Sequence, residues 1–172
     1  MPDKRGLLIP GVLLAAAGFA LVFYFGRGIE ARRDAAWRDA ATRLQGTFRS
    51  GPSCSGLERF GTPTPWAQWA SDGELQCLRV IEGSDAVGPW ALVQVRYSVR
   101  ERRGEEHPDT WHEVTVAALR RSPAAAAPDG YVAMQNGQSL FLWKKSKVGA
   151  GASLDAEELP ALLEQARRVA AR

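Results

Sequence analysis

WALVQVRYSVR, residues 90–100, is the segment that decides the fold class of this chain. Apolar residues alternate with polar ones along it, the apolar set being Ala91, Val93, Val95, Tyr97 and Val99 and the polar set Gln94, Arg96, Ser98 and Arg100. A repeat of two residues is typical of a β-strand, because successive side chains point to opposite faces of the sheet. The pattern predicts a strand with one buried face and one largely wet face.

Four further segments predict strands. After a polar tip at residues 101–110, the segment 111–121 repeats the alternation and forms the second arm of a hairpin with the first strand. Asn136-Gly137 is a strong signal for a two-residue hairpin turn. We therefore expect five strands in one antiparallel sheet, at residues 75–81, 90–100, 111–121, 131–134 and 139–145.

The C-terminal segment LDAEELPALLEQARRVAAR, residues 154–172, predicts a helix. Asp155 and Glu158 fit a capping box, although Pro160 would cost an internal hydrogen bond unless the regular helix begins near it. One apolar stripe follows the helical repeat, at Leu159, Leu162, Leu163, Ala166, Val169 and Ala170. The predicted fold class is α+β, with an antiparallel sheet covered on one face by this helix.

An apolar run, LLIPGVLLAAAGFALVFYF at residues 7–25, contains no charged residue. As a helix it would be about 28 Å long, close to the roughly 30 Å hydrocarbon thickness of a bilayer. Pro10 and Gly11 fall in its first turn, where a missing N–H is tolerated. The run begins at Leu7 and ends in aromatic residues that suit the headgroup region, which are Phe23, Tyr24 and Phe25. We predict a single transmembrane helix at residues 7–25.

This span leads to a four-part domain organisation. Beyond it, an apolar face at the helical repeat predicts a juxtamembrane stalk helix, in which Trp37, Leu44 and Phe48 take part. The chain is long enough for one domain with a sizeable core after the stalk. The predicted parts are an N-terminal tail at 1–6, the span at 7–25, the stalk helix at 26–49 and an α+β domain at 50–172.

A cleaved signal peptide is the alternative to an anchor, because Lys4 and Arg5 precede the apolar run. Cleavage after the small-x-small sequence Gly18-Phe19-Ala20 would leave an apolar end on the mature protein, so we favour the uncleaved anchor. Charge taken alone favours the opposite orientation, because more arginines follow the span than precede it, which would place the domain in the cytoplasm. Long domains cross membranes largely regardless of that charge bias.

Cys54 and Cys77 are the two cysteines of the chain, and their spacing fits neither a CxxC motif nor a zinc site. They flank a Gly-, Pro- and Trp-rich segment, which favours a structural disulfide over two unrelated buried thiols. Such a bond persists outside the cytosol. We therefore expect the N-terminus in the cytoplasm and the domain on the periplasmic or extracellular side, with a cytoplasmic domain as the alternative.

Several motifs resemble sites but lack a required part. GPSCSG at 51–56 lacks the last glycine of a nucleophile elbow, so Ser53, Ser55 and Cys54 are weak candidates for a hydrolase nucleophile, even with His107 or His112 as base. GAGAS at 149–153 is not followed by a strand, as a phosphate-binding βαβ unit requires. His107 and His112 have acidic neighbours but no shared helical face. The sequence predicts no catalytic residue, no cofactor and no metal site.

Partners are predicted by class only. The net charge of +3 on 172 residues is not that of a nucleic-acid-binding domain. Trp66 and Trp69, in a Pro-rich loop, form a candidate binding surface, with core packing as the alternative. Small residues spaced four apart, such as Gly11 and Ala15, would allow a homodimer through the transmembrane helix.

The function that we expect is that of a non-enzymatic, single-pass accessory or assembly protein. It would lie in the lipid bilayer and bind a membrane or envelope protein through its soluble domain. One alternative is a membrane-anchored sensor domain for a small ligand or glycan, which would use Trp66 and Trp69. The other is a small hydrolase.

Overall fold

A computed structural model describes most of the chain, and the bounds below follow it. The backbone is described for residues 5–51, 54, 57–61, 64–69, 74–99, 110–120, 126–137, 139–147 and 151–171. Within these ranges, the side chains of residues 5–17, 21–23, 25, 58, 67 and 99 are not described. The chain divides into two compact units, Met1–Ala36 and Trp37–Arg172.

The first unit consists of most of helix α1, which runs from Arg5 to Arg43. Phe19, Tyr24 and Ile29 are exposed along it, by 78, 76 and 53%. In the part of the chain that the structure describes, no helix is both long and apolar enough to cross a membrane. The predicted span at residues 7–25 is therefore not confirmed, and the side chains of Leu7, Pro10, Gly11, Phe23 and Phe25 lie outside the described residues.

The second unit is an α+β domain built on six described strands, which confirms the predicted fold class. The sheet has the order β1-β2-β3-β4-β6-β5, and every neighbouring pair is antiparallel. Its strands are β1 Thr47–Ser50, β2 Leu75–Asp85, β3 Gly88–Val99, β4 Thr110–Leu119, β5 Tyr131–Asn136 and β6 Ser139–Lys144. The connecting segments contain a 3₁₀ turn at Leu57–Phe60 and a short helix, α2, at Pro65–Trp69. Helix α3 closes the chain at Leu159–Ala171.

The predicted stalk helix at 26–49 ends earlier than expected, at Arg43. Gln45 takes a positive φ of 55°, and the N–H groups of Gln45 and Gly46 donate to the carbonyl oxygens of Thr42 and Ala41 at 3.2 and 2.8 Å. This pair of bonds is a Schellman helix ending. A Cβ at Gly46 would lie within 2.9 Å of the Trp90 ring, so glycine is needed there for close packing and glutamine takes the left-handed position instead. Phe48 therefore lies in strand β1, which the helical pattern concealed.

Both faces of the sheet are covered, each by a different part of the chain. The helix face packs on α3 and on the end of α1 through Trp37, Ala40 and Ala41. The buried residues of α3 are the predicted stripe, namely Leu159, Leu162, Leu163, Ala166, Val169 and Ala170. The loop face packs on Leu57, Phe60 and Trp66, which precede β2. The prediction of a largely wet face on β3 is wrong in this respect, because Gln94 and Ser98 are 3 and 1% exposed.

Candidate functional site

The predicted pair of cysteines is joined in a disulfide, with 5.4 Å between the Cα atoms of Cys54 and Cys77. Cys77 lies in β2 and is fully buried on the loop face, whereas Cys54 lies in the covering segment and is half-buried. The bond fastens the 54–69 segment to the sheet that it covers. Because both sulfur atoms are used, Cys54 is not a free nucleophile.

The two tryptophans of the candidate binding surface differ in their placement. Trp66 is 3% exposed and meets the Phe141 ring edge-on, with 5.7 Å between ring centroids, so it belongs to the core. Trp69 is half-buried and packs on Tyr97 and Trp143, with centroid distances of 5.6 and 5.1 Å. Part of the Trp69 ring therefore remains at the surface of the loop face.

Of the remaining candidate residues for chemistry, the structure describes His112. Ser53, Ser55 and His107 lie outside the described residues. His112 packs beside Tyr97, at 5.3 Å between ring centroids. Among the residues that are described, no group of three His, Cys, Asp or Glu side chains could hold a metal ion.

The glycine-rich segment before α3 has a packing role. Gly149 lies outside the described residues, but a Cβ on Gly151 would overlap the side chains of Val114 and Trp143. Ala152 then joins strand β4, because it accepts a bond from the N–H of Thr115 at 3.0 Å. Close packing on the sheet explains the small residues at positions 151 and 152.

A polar patch that the sequence pattern did not single out lies on the helix face, where β3 and β4 approach the hairpin tip. It consists of Arg79, Gln94, Arg96, Glu113 and Trp111. Antiparallel register places Arg96 opposite Glu113 and Gln94 opposite Arg79, so these four side chains share one face. Trp111 lies two residues before Glu113 on β4 and therefore points to the same face.

Gln94 is the centre of the polar patch. Its Oε1 accepts a hydrogen bond from Arg79 Nη1 at 2.7 Å, and its Nε2 donates to Ser153 Oγ at 2.7 Å and to Glu113 Oε2 at 3.3 Å. Arg79 is 2% exposed, which requires hydrogen-bond partners for its charge. The amide of Gln94 thus supplies an acceptor to a buried cation and links it to the surface.

The rim of the polar patch is an ion pair beside an exposed aromatic ring. Arg96 Nε donates to Glu113 Oε1 at 3.0 Å, and the two side chains are 35 and 21% exposed. Trp111 is 42% exposed, and it is the one large hydrophobic side chain exposed in the described part of Trp37–Arg172. An aromatic ring beside a charged rim is the composition of a protein-binding surface.

The polar patch combines an ion pair, an amide and an aromatic ring, which are groups suited to binding. Glu113 is held by Arg96 and by Gln94, and the described part of the patch contains no cysteine or histidine that could act with it. Alternation along β3 placed Gln94 and Arg96 on one polar face, and the hairpin register would have added Glu113. Arg79 gave no such signal, because a bulge between Cys77 and Arg79 shifts the register of β2.

Comparison of the chain with protein-family models, with curated proteins and with solved structures finds no match.

Proposed function

We propose that this chain is a single-pass, membrane-anchored accessory protein whose extracytoplasmic domain binds another protein through Trp111 and the polar patch. The exposed Trp111 ring is the observation that carries the binding proposal. Tryptophan is enriched among the residues that dominate binding energy at protein interfaces. A partner that covers the ring and the charged rim beside it would remove this apolar surface from water, as at the aromatic centre and polar rim of a protein interface.

The anchor and the location are supported by two observations. The uncharged run at residues 7–25 has the length of a bilayer span, and Phe19 and Tyr24 in the same stretch are largely exposed. The disulfide between Cys54 and Cys77 is typical of a domain outside the cytosol. Together they support a cytoplasmic N-terminus and a domain on the periplasmic or extracellular side.

The charge of the polar patch points to the kind of partner surface that fits it. Arg96 and Glu113 are the charged side chains that the patch presents to solvent, at 35 and 21% exposure, whereas Arg79 is buried. A partner with an apolar pocket for Trp111 and a carboxylate near Arg96 would complement both features. A membrane or envelope protein is the proposed partner class.

Binding is tested by site-specific photo-crosslinking of the full chain in intact membranes. We expect a benzophenone side chain at position 111 to give one discrete adduct with a neighbouring protein. The same group at Gln68, which is exposed on α2, is the matched control and should give no such adduct. Adducts that are the same at both positions would contradict the proposal.

The Trp111→Ala variant tests the energetic role of the ring. We expect recovery of the crosslinked neighbour to fall at least about tenfold, because an aromatic hot spot contributes on the order of 2 kcal/mol or more. The thermal unfolding midpoint should change by less than about 2 °C, because substitutions of exposed side chains have small effects on stability. Full recovery of the neighbour with Trp111→Ala would refute the assignment of this ring.

The location is tested independently of the partner. A reporter fused after Arg172 should be active only outside the cytoplasm, and the chain should leave the membrane only with detergent. Cys54 and Cys77 should resist alkylation in freshly isolated membranes until a reductant is added. Free thiols in those membranes would contradict the extracytoplasmic location.

A sensor domain for a small ligand or glycan is the second candidate, and the half-buried Trp69 favours it. Its ring lies beside Tyr97 and Trp143, so a flat ligand could stack on its exposed part. Trp69→Ala should then abolish ligand binding while the unfolding midpoint stays nearly unchanged. A large loss of stability would assign Trp69 to the core.

A further inference from the structure

The two edges of the sheet are built differently. Strand β1 is four residues long, and Arg49 on it pairs with Glu82 of β2 at 2.8 Å. Strand β5 is six residues long, with the sequence YVAMQN, and carries no charged residue and no proline. Short length and charge are common devices that prevent an edge strand from pairing with another chain. Strand β5 is longer than β1 and uncharged, so neither device protects it.

The hydrogen-bond pattern of the β5–β6 hairpin shows which groups of β5 face outward. The N–H of Lys145 donates to the carbonyl of Gly130 at 2.8 Å, so residues 130 and 145 are a hydrogen-bonded pair. Such pairs alternate along an antiparallel ladder, which makes 132/143, 134/141 and 136/139 the next bonded pairs. The backbone groups of Ala133 and Gln135 therefore point away from β6, toward the open edge.

These outward groups have no backbone partner among the described residues. The N–H of Tyr131 also faces outward and donates to Pro128 within its own turn at 3.0 Å. No corresponding bond is made within the described ranges by Ala133 or Gln135. Two N–H and two C=O groups are thus available along about 7 Å of extended strand.

The side chains beside this edge are apolar but incompletely covered. Tyr131, Val132, Ala133 and Met134 are all half-buried, with Tyr131 and Ala133 packed on the core of the helix face and Val132 and Met134 on that of the loop face. A strand added at the edge would cover these residues on both faces at once. Hydrophobic burial and backbone hydrogen bonding would then act together.

We propose that the β5 edge pairs with β5 of a second copy of this chain, in antiparallel register centred on Met134. In this register Ala133 of each copy lies opposite Gln135 of the other, and their outward groups form four hydrogen bonds about a two-fold axis. A register centred on Ala133 would need the N–H of Tyr131, which is already used. The available groups thus match a second β5 strand.

Electrostatics also favours a second copy as the occupant. Two-fold symmetry places identical residues near each other, so a charged edge would repel its own copy. The uncharged β5 edge carries no such penalty. The pairing would join two six-stranded sheets into one continuous sheet, and it does not require the partner proposed for Trp111.

Cysteine crosslinking at the centre of the register is the direct test. Opposite residues of a non-hydrogen-bonded pair have Cα atoms about 4.5 Å apart, which is within disulfide range. Because Cys54 and Cys77 are already bonded, Met134→Cys adds a single reactive thiol. Mild oxidation of the full chain in native membranes should convert most of this variant to a disulfide-linked dimer on non-reducing gels.

Thr47→Cys, an exposed position on the opposite edge strand, is the matched control and should stay largely monomeric. Equal dimer yields at positions 134 and 47 would overturn the proposal. An adduct at position 134 with a different protein would also overturn it, because the occupant would then be a foreign strand.

The hydrogen bonds are tested by proline at the edge. Gln135→Pro removes an outward N–H and no bond within the chain, so the fold should persist as judged by circular dichroism. The dimer, measured by analytical ultracentrifugation of the full chain in detergent, should weaken at least about tenfold, because two of its four backbone bonds are lost. Ser50→Pro on β1 should leave the dimer unchanged. An unchanged dimer with Gln135→Pro would refute the register.

A second variant covers the case in which proline disturbs the fold. Met134→Lys places two like charges opposite each other at the two-fold axis, while the lysine stem keeps its contact with the sheet. It should weaken the dimer, measured by analytical ultracentrifugation of the full chain in detergent, at least about tenfold. An unchanged dimer with Met134→Lys would show that Met134 is not at the centre of the pairing.

Discussion

Loss of the disulfide is the perturbation whose effect can be worked out most fully. Cys54→Ser changes a half-buried position and leaves Cys77 in the sheet as a buried thiol. The substitution replaces one sulfur atom by oxygen at the surface of the loop face, so the native packing changes little. The main expected effect is the release of the unfolded chain from a crosslink.

The magnitude follows from the loop that the bond closes. For a sequence separation of 23 residues, the chain-entropy model gives a stabilisation of about 3 kcal/mol. The compact unit Trp37–Arg172 has an unfolding entropy of about 0.3 kcal/mol per kelvin at the usual value per residue. The melting temperature of the Cys54→Ser variant should therefore be about 10 °C lower.

The assay is urea and thermal unfolding of the full chain in a mild detergent, followed by near-ultraviolet circular dichroism. That signal reports on buried rings such as Trp66 and Trp90. Wild type in a reductant should unfold like Cys54→Ser, and the reductant should not lower the stability of Cys54→Ser further. A difference of less than about 1 kcal/mol between wild type and variant would refute the constraint argument, because the chain-entropy model requires about three times as much.

Two further predictions concern packing and the polar patch. Gly83→Ala should lower the free energy of unfolding by about 1–3 kcal/mol, because an added Cβ would overlap the buried ring of Trp90 and core overpacking has such a cost. Gly28→Ala is the control and should not destabilise, because a Cβ at position 28 has no atom within 4 Å. Gln94→Leu should lower it by about 2 kcal/mol, because the buried guanidinium of Arg79 loses an acceptor. Both are measured by the same urea unfolding.

The outcomes that would contradict these two predictions are distinct. A Gly83→Ala domain as stable as wild type would mean that the Trp90 ring can move aside. For Gln94→Leu, the matched control is Gln68→Leu at an exposed position on α2, which should change stability by less than about 0.5 kcal/mol. Equal effects at positions 94 and 68 would mean that the acceptor for Arg79 is readily replaced.

The local patterns of the sequence predicted five of the six described strands and the final helix. Alternation fixed β3 and β4 and their hairpin, because a repeat of two residues is a property of the strand itself. The apolar stripe of α3 was readable for the same reason at the helical repeat. The pairing of Cys54 with Cys77 was expected because the chain has no other cysteine.

The sequence patterns failed where contacts between distant parts of the chain decide the local structure or the burial of a residue. Leu44 and Phe48 continue the helical repeat of α1, yet Gly46 must approach Trp90 too closely for a helix to continue through it. Strand β1 was therefore missed. Trp66 and Trp69 look alike in the sequence, and only the contact of Trp66 with Phe141 places it in the core.

The sequence by itself determined five of the six described strands, the final helix and which cysteines are available to bond, because these follow from short-range periodicity and residue chemistry. The tertiary structure alone decided the strand order β4-β6-β5, the covering of both sheet faces, the burial of Arg79 against Gln94 and the exposure of Trp111. These features arise from contacts between residues far apart in the chain, and no local repeat encodes them.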